Sequence, residues 1–333
     1  MIRIKSLFYK ESINESLLWT ILVFLKLKFL VSSTKKEIER REKLSIFEYS
    51  ELAKPLHYYP YHLLYENDLY GNGKIIFKAI KYSYLSKCFT RIEHATPYAP
   101  KYLPESHKLD FTKTFITLSG IRKNFLKNKI SKKIIAVGPY INYSNNLINT
   151  SQKSILKNQL GNTLLVFPSH SIDNVHAVFD SMSFLKFIDS IKDKGFDTIM
   201  VSLYWKDIEL GRAKIYEERG YRVVTAGHLY DYNFLNRLRS IIELSDYTIS
   251  NSSGTHVGYS VSLGKPHQIY SSKVKYNLNK DSHIGQKYDK NVFDSKEAIE
   301  EIERTFNIYD EKISEAQYKC VKKFWGEFNN EIN

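Results

Sequence analysis

Residues 244–266 read LSDYTISNSSGTHVGYSVSLGKP, and this stretch decides the fold because a strand, a loop and a helix follow one another directly. Residues 247–250 form a short β-prone run. Residues 251–254 then supply an amide, two hydroxyls and a glycine, which lets the backbone approach a ligand closely. Residues 255–263 continue as a helix whose first amides lack partners within the helix and whose dipole favours negative charge. The stretch therefore predicts an anion site; an ordinary capped helix after a buried strand is the alternative.

The same pattern of a strand followed by a polar loop occurs three times upstream. The predicted strands cover residues 164–167, 198–201 and 221–225, and the predicted helices cover residues 175–194, 207–219 and 231–243. Gly195 and Gly220 stand where two of these helices should stop. Alternating helices and nearly continuous apolar strands predict a parallel sheet that is covered on both faces.

Polar side chains follow each of the four predicted strands. Ligands of such sheets bind outside the carboxyl ends of the strands, so we expect these side chains to share one site. The candidate donor- and phosphate-binding residues are Ser169, Ser171, Ser202, Tyr204, His228, Asn251, Ser252, Ser253, Gly254 and Thr255. His170 stands between two of these serines and is suited to a charge-assisted hydrogen bond to a phosphate, with a structural role as the alternative.

Composition indicates a globular protein. The 333 residues are 43% hydrophobic and 26% charged, which is typical of a folded chain with room for two domains, each with its own core. Cys88 and Cys320 lie far apart without metal-ligand spacing, which suits a reducing compartment. The chain contains no D-x-D motif and no P-loop, so no metal site is expected and P-loop ATP hydrolysis is excluded.

The net charge of +13 lies in the first half of the chain. Residues 1–150 hold 25 Lys and Arg against 12 Asp and Glu, whereas residues 151–333 hold 24 against 24. A basic half suits an anionic membrane surface or an acidic polymer. Nucleic acid is not an expected partner, because the clustered tyrosines near residue 60 are not interleaved with Lys or Arg.

The N-terminal segment contains an apolar run, LLWTILVFLKLKFLV, at residues 17–31. Lys26 and Lys28 interrupt it, and it is shorter than the about 20 apolar residues that a spanning helix needs. The charged residues 35–43 follow. An apolar helix beside a basic stretch predicts contact with an anionic membrane surface, and a buried helix with its lysine heads in water is the alternative.

The stretch at residues 244–266 resembles the donor-binding loop of GT-B glycosyltransferase-like proteins, in particular the CDP-glycerol glycerophosphotransferase and polysialyltransferase group. Ser252, Ser253, Lys265 and Pro266 match the Ser-Ser pair and the Lys-Pro pair of that loop. The runs YENDLYGNGKIIFKAI, IEHATPYAP and KKIIAVGPYINYS are similar to proteins of bacterial capsule and lipopolysaccharide clusters. The group has a His-Pro pair where this chain has Pro-Ser-His-Ser from position 168.

The resemblance implies a metal-independent glycosyltransferase of GT-B type. Its nucleotide-sugar donor is a co-substrate, no cofactor is expected, and the acceptor is a cell-surface polysaccharide or a lipid-linked molecule. The expected location is cytoplasmic, peripheral at the inner membrane. The phosphate of the donor would lie on Ser252 and Ser253, with His170 assisting its departure.

Two residues after a strand of the first half are candidates for the base, Glu93 and His94. Neighbours on a strand point to opposite faces, so one of them lines the site. The resemblance favours His94, and an ion pair of Glu93 with Arg91 or a neighbour is its alternative role. Two other functions stay open: a nucleotide-sugar epimerase of GT-B-like fold, and a non-catalytic binding or scaffold protein in polysaccharide assembly.

The expected fold is α/β, with two Rossmann-like domains, parallel sheets and a cleft between them. In the first half we predict strands over residues 89–92, 114–118 and 134–137 and helices over residues 75–81 and 119–128. Residues 144–162 are rich in Asn, Ser and Gln and predict a linker. The expected divisions are an apolar and basic helical segment at 1–45, an acceptor-side domain at 46–150, a nucleotide-sugar-binding domain at 151–308, and a C-terminal helix across both at 309–333.

Overall fold

The computed structural model describes residues 17–94, 103, 107–108, 110–172, 175–278 and 296–327. Their strands form two all-parallel sheets and one antiparallel pair. The strands are β1 (Thr90–Ile92), β2 (Thr114–Thr117), β3 (Lys133–Ala136), β4 (Thr163–Phe167), β5 (Val175–Val178), β6 (Thr198–Ser202), β7 (Arg222–Val224), β8 (Tyr247–Ser250), β9 (His267–Ile269) and β10 (Lys275–Leu278). The predicted α/β fold with parallel sheets is confirmed.

Helices precede, connect and follow these strands. They are α1 (Leu17–Leu30), α2 (Ser32–Glu42), α3 (Tyr49–Ala53), α4 (Tyr65–Asp68), α5 (Asn72–Ala79), α6 (Tyr84–Cys88), α7 (Gly120–Lys127), α8 (Thr150–Leu160), α9 (Ser181–Lys192), α10 (Trp205–Glu209), α11 (Lys214–Glu217), α12 (Phe234–Leu244), α13 (Thr255–Ser262), α14 (Lys296–Phe306) and α15 (Glu315–Trp325). Two 3₁₀ turns cover Leu69–Gly71 and Tyr140–Tyr143. Within the described ranges, no helix has both the length and the apolar character needed to cross a membrane.

The larger sheet has the strand order β7-β6-β4-β8-β9. Numbered along the chain, its strands run 3-2-1-4-5, so the chain winds outward from β4 in one direction and then returns to add β8 on the other side. All five residues of β4 are buried, as a strand covered on both faces requires. The reversal of strand order lies between β4 and β8, and open α/β sheets bind ligands at this point. The smaller sheet has the order β1-β2-β3.

Three segments differ from the sequence prediction. The predicted helix at 175–194 begins instead with β5, which pairs with β10, and α9 starts only after Asp180, whose carboxylate caps it. The predicted linker at 144–162 contains α8, which Asn149 caps and Gly161 ends at a φ of +64°. The predicted helix at 207–219 is broken into α10 and α11, with Gly211 between them at a φ of +75°.

The largest apolar cluster joins both sheets. Ile92 and Ile116 of the smaller sheet belong to the same buried cluster as Leu165 and Val224 of the larger one. This cluster is shared by the two sheets, and the expectation of two domains, each with its own core, stays a prediction. The boundary near residue 150 stays a prediction.

The C-terminal helix α15 lies between elements of the two sheets. It packs on α13, which follows β8, and on α7, which follows β2. Trp325 is fully buried and its ring lies directly over Gly258 of α13. Within the segment predicted at 309–333, the helix begins after Ser314, which forms a capping box with Gln317, and residues 328–333 lie outside the described residues.

Candidate functional site

The candidate site lies where the carboxyl ends of β4 and β8 meet. These strands are paired so that Phe167 stands opposite Ser250, which brings the two polar loops that follow side by side. Ser169, His170 and Ser171 follow β4, and Asn251 to Thr255 follow β8. Tyr204 follows β6 and His228 follows β7, on the neighbouring strands of the same edge.

A row of rings connects this edge to the smaller sheet. His94, two residues past β1, stacks on Tyr70 with ring centroids 5.0 Å apart and 19° between the planes. The hydroxyls of Tyr70 and Tyr204 are 2.9 Å apart, and the ring of Tyr204 lies 4.7 Å from that of His170. The structure thus brings together His94 and His170, which the sequence predicted, through two tyrosines. Tyr204 was predicted to bind the ligand, whereas Tyr70 was missed.

Tyr70 holds this position by an unusual backbone conformation. Its φ is +58°, in the left-handed region that residues other than glycine rarely adopt. The backbone N–H of Tyr70 donates to the carbonyl of Leu229 at 2.8 Å, which fixes the turn against the loop after β7. Such strain is a feature of functional sites and is held by the surrounding structure.

The protein lowers the pKa of both imidazoles. Both side chains are exposed at this edge. Neighbouring protein atoms still remove part of the hydration of the rings. This desolvation lowers the pKa of His94 to about 4, and repulsion from His170 acts in the same direction. Desolvation likewise lowers the pKa of His170, and the carboxylate of Asp207 opposes that shift. A neutral imidazole has one nitrogen that accepts a proton and one that donates a hydrogen bond.

Asp207 is a buried carboxylate beside His170 that sequence analysis missed. It is 2% exposed, accepts the backbone N–H of Ser171 at 3.1 Å and pairs with Arg212 at 2.8 Å. Burial raises the pKa of Asp207, and the charges of His170 and Arg212 oppose the rise. The signal in the sequence was its place in the first turn after β6, but its burial depends on the tertiary structure.

Asn251 connects the two loops. It is fully buried, and its Oδ1 accepts hydrogen bonds from the backbone N–H of Ser169 at 2.6 Å and from its hydroxyl at 2.9 Å. The Ser169 hydroxyl also lies 2.7 Å from that of Ser252. Ser171 is fully buried too, and its Oγ accepts the backbone N–H of Ala177. The structure therefore gives Asn251 and Ser171 a positioning role, and their contact with a ligand stays a prediction.

The first turn of α13 is open toward this edge. Its N-cap residue, Gly254, has an extended backbone with a φ of −169°, and no side chain caps the helix. Ser252, Ser253 and Thr255 are half-buried beside it. The uncapped amides and the helix dipole favour an anion at this position, and an anion site here stays a prediction.

His256 packs beneath the loop. A Cβ at Gly254 would lie 2.4 Å from Cε1 of His256, so only glycine fits over the ring. The ring stacks on Phe167 at 5.0 Å, and burial together with the nearby His170 lowers the pKa of His256 to about 3. Its Nε2 is buried without a hydrogen-bond partner among the described residues.

Glu93 points away from the row of rings. Its carboxylate pairs with Arg122, at 2.8 Å from Nε, and accepts the hydroxyl of Thr117 at 2.6 Å. The alternative reading, an ion pair, is therefore the arrangement found, although the partner is Arg122. Arg91 instead pairs with Asp110 at 2.6 Å and with Glu66 at 2.8 Å.

The remaining predicted residues take supporting places. His228 is 4% exposed, packs on Trp205 at 4.3 Å, and accepts the backbone N–H of Tyr230. Ser202 is half-buried at the end of β6. Lys265, which matches the Lys-Pro pair of the resemblance, donates to the backbone carbonyl of Ser245 and so holds the end of α12. No group of three or more His, Cys, Asp or Glu side chains suited to a metal ion occurs in the described part of the chain.

The chain has an α/β fold whose larger sheet has a Rossmann-like strand order. This fold class is assigned from the strand pairing of the chain itself. No protein-family model matches the chain, and no curated protein matches it either. Among solved structures it is similar to UDP-GlcNAc 2-epimerase from Neisseria meningitidis bound to UDP-GlcNAc, with 14% sequence identity and a TM-score of 0.32. The match covers 64% of this chain and 61% of that one, so the chain spans less than two thirds of the epimerase.

Proposed function

We propose that the protein is a glycosyltransferase that moves a sugar from a nucleotide-activated donor to a polysaccharide or lipid-linked acceptor. One observation carries the proposal: the open start of α13 and His170 meet at the strand-order reversal of the larger sheet, and His94 faces them from the smaller sheet. An anion site and a neutral base on opposite sides of one edge are what transfer from a sugar phosphate requires.

The proposed reaction assigns one task to each part. The acceptor hydroxyl transfers its proton to the free ring nitrogen of His94 while its oxygen forms a bond to the anomeric carbon. The bond from that carbon to the phosphate oxygen breaks, and its electron pair leaves with the nucleotide. The amides of the first turn of α13, the hydroxyls of Ser252 and Ser253, and the N–H of His170 stabilise the charge that develops on the leaving phosphate.

The bacterial capsule or lipopolysaccharide setting rests on the resemblance in sequence. The runs that carry it lie partly on elements of the site, since YENDLYGNGKIIFKAI supplies α4, Tyr70 and α5. We infer that the acceptor enters from the side of the smaller sheet, past Tyr70 and His94. We propose no metal or cofactor, since the donor itself carries the leaving group.

The first experiment is a thermal-shift screen of the purified protein against CMP, CDP, UDP, GDP and their sugar conjugates. A ligand that binds the folded state raises the midpoint, so a shift with one nucleotide family identifies the donor class. No shift with any of them, for folded protein at millimolar ligand, would favour the scaffold role.

The second experiment measures turnover with the donor so identified. We expect His94→Ala, His170→Ala and Ser252→Ala to lower turnover by about a hundredfold or more, as loss of a base or of a charge-stabilising donor does. His57→Ala and Ser154→Ala are matched controls at exposed positions away from the site. Full activity in the three site variants would contradict the assignment.

An epimerase is the second candidate, because two imidazoles with lowered pKa values, one beside each sheet, also suit proton removal and return at one sugar ring. The same turnover assay separates the two functions. A transferase consumes donor only when acceptor is present, whereas an epimerase changes the sugar of the donor without acceptor, which NMR of the nucleotide sugar detects.

A further inference from the structure

Helix α1 has an exposed apolar stripe. Leu18, Leu22, Leu25 and Phe29 are 68%, 52%, 56% and 88% exposed. Their spacing of four, three and four residues places them on one face of the helix. Large apolar side chains scattered singly on a surface are ordinary, but four in a row along one helix mark an interaction surface.

The opposite face of α1 is already covered by the protein. Leu27 is 5% exposed, and Val23 and Phe24 line a small cavity together with Tyr58 and Tyr65. The helix is thus apolar on both faces, and the segment around residues 58–65 packs on only one of them. The core of the protein accounts for the inner face and leaves the stripe unexplained.

The charges on α1 are all positive. At 100° per residue, Lys26 lies on one flank of the stripe and Lys28 on the other. Both are exposed, and α1 contains no acidic residue. An apolar stripe with one lysine on each flank matches a bilayer surface, where acyl chains meet the apolar side chains and anionic headgroups meet the lysines.

We propose that this stripe docks the protein on an anionic lipid bilayer, with α1 lying in the plane of the headgroups. Fourteen residues give a helix of about 21 Å, which is too short to cross a hydrocarbon core of about 30 Å. A second copy of the chain fits less well, because two stripes packed face to face would bring lysines together without a carboxylate from α1. This inference does not depend on the proposed transferase activity.

The test is co-sedimentation of the full chain with vesicles of equal parts phosphatidylglycerol and phosphatidylcholine, and with vesicles of phosphatidylcholine alone. Leu22→Glu/Leu25→Glu is the disrupting variant. Ile155→Glu is the matched control, since Ile155 is 57% exposed on α8, away from the stripe. Thermal unfolding of each variant shows that it is folded, and nucleotide binding reports on the candidate site separately.

We expect the wild-type protein to bind the anionic vesicles and the double variant to bind about tenfold more weakly or worse, while Ile155→Glu binds as the wild type does. Lys26→Gln should weaken binding by about fivefold and make it less sensitive to salt. Wild-type protein that stays in the supernatant would overturn the proposal. So would equal binding by a folded double variant, or a wild-type dimer that this variant converts to monomer without any vesicle binding.

Discussion

Replacing Gly258 by alanine tests how the C-terminal helix α15 packs on α13. Gly258 lies inside α13, where alanine is favoured over glycine by about 1 kcal/mol on helix propensity alone. The structure predicts the opposite sign. A Cβ at this position would lie 2.2, 2.3 and 2.5 Å from three atoms of the Trp325 ring, far inside van der Waals contact.

The magnitude follows from how little the ring can move. Trp325 is fully buried, so the added methyl must displace packed side chains or the helix itself. Overpacking of this kind costs about 1–3 kcal/mol, and contacts this short on a fixed ring belong at the upper end. Subtracting the gain in propensity, we expect Gly258→Ala to lower the free energy of unfolding by about 2 kcal/mol.

The assay is urea unfolding of the purified wild-type protein and of four variants: Gly258→Ala, Gly120→Ala, Trp325→Leu and the double variant Gly258→Ala/Trp325→Leu. Gly120→Ala is the matched control, since a Cβ at the first position of α7 meets nothing within 4 Å and should stabilise by about 0.4–1 kcal/mol. In a Trp325→Leu background the cost of Gly258→Ala should shrink, which a double-mutant cycle measures. A Gly258→Ala variant as stable as the wild type, or more stable, would refute the packing of α15 on α13.

Two further predictions concern buried charge. His267 is fully buried, with Nδ1 2.7 Å from the hydroxyl of Thr248 and Nε2 3.0 Å from that of Ser250, and desolvation together with the nearby His256 puts its pKa well below the usual value. Below pH about 6.5 the unfolded chain therefore binds a proton at His267 that the folded chain does not bind. Urea unfolding should show that the free energy of unfolding falls as the pH is lowered from about 7.5 to 5, and that it falls less steeply in His267→Gln. Equal slopes in the wild type and the variant would contradict a lowered pKa of this ring. Asp231 and Arg237 are both fully buried and form an ion pair at 2.9 Å. Asp231→Ala should lower the free energy of unfolding by about 3–5 kcal/mol in the same assay, because it leaves the buried guanidinium without its carboxylate. A loss under about 1 kcal/mol would contradict the pairing.

The sequence predicted the larger sheet well because its strands carry strong local signals. The predicted run at 247–250 coincides with β8, and the four predicted strands of the second half are neighbours in the sheet. β5 was read as helix because its pairing partner, β10, lies about a hundred residues away and leaves no local trace. Asn149 and Gly161 are the start and stop signals of α8, but the polar composition of the residues between them led to the prediction of a linker.

The sequence predicted which strand ends form the candidate site, but not the contacts between the side chains there. The polar residues after β4 and β8 were found because parallel strands bring their carboxyl ends together. The sequence could not show that the side chain of Asn251 accepts hydrogen bonds from Ser169, or that Glu93 pairs with Arg122, 29 positions away. Tyr70 was missed because its left-handed backbone conformation depends on a hydrogen bond to Leu229, in the loop after β7. The residues next to Tyr70 in the sequence do not indicate this contact.

The apolar cluster that spans both sheets determines when the site takes shape. Because Ile92 and Leu165 share one buried cluster, the distance between the ends of β1 and β4 is set as the chain folds rather than when a substrate arrives. A gene cut near residue 150 would divide that cluster between two fragments and expose part of it in each, and neither fragment would contain both His94 and His170. The two halves therefore depend on each other for folding.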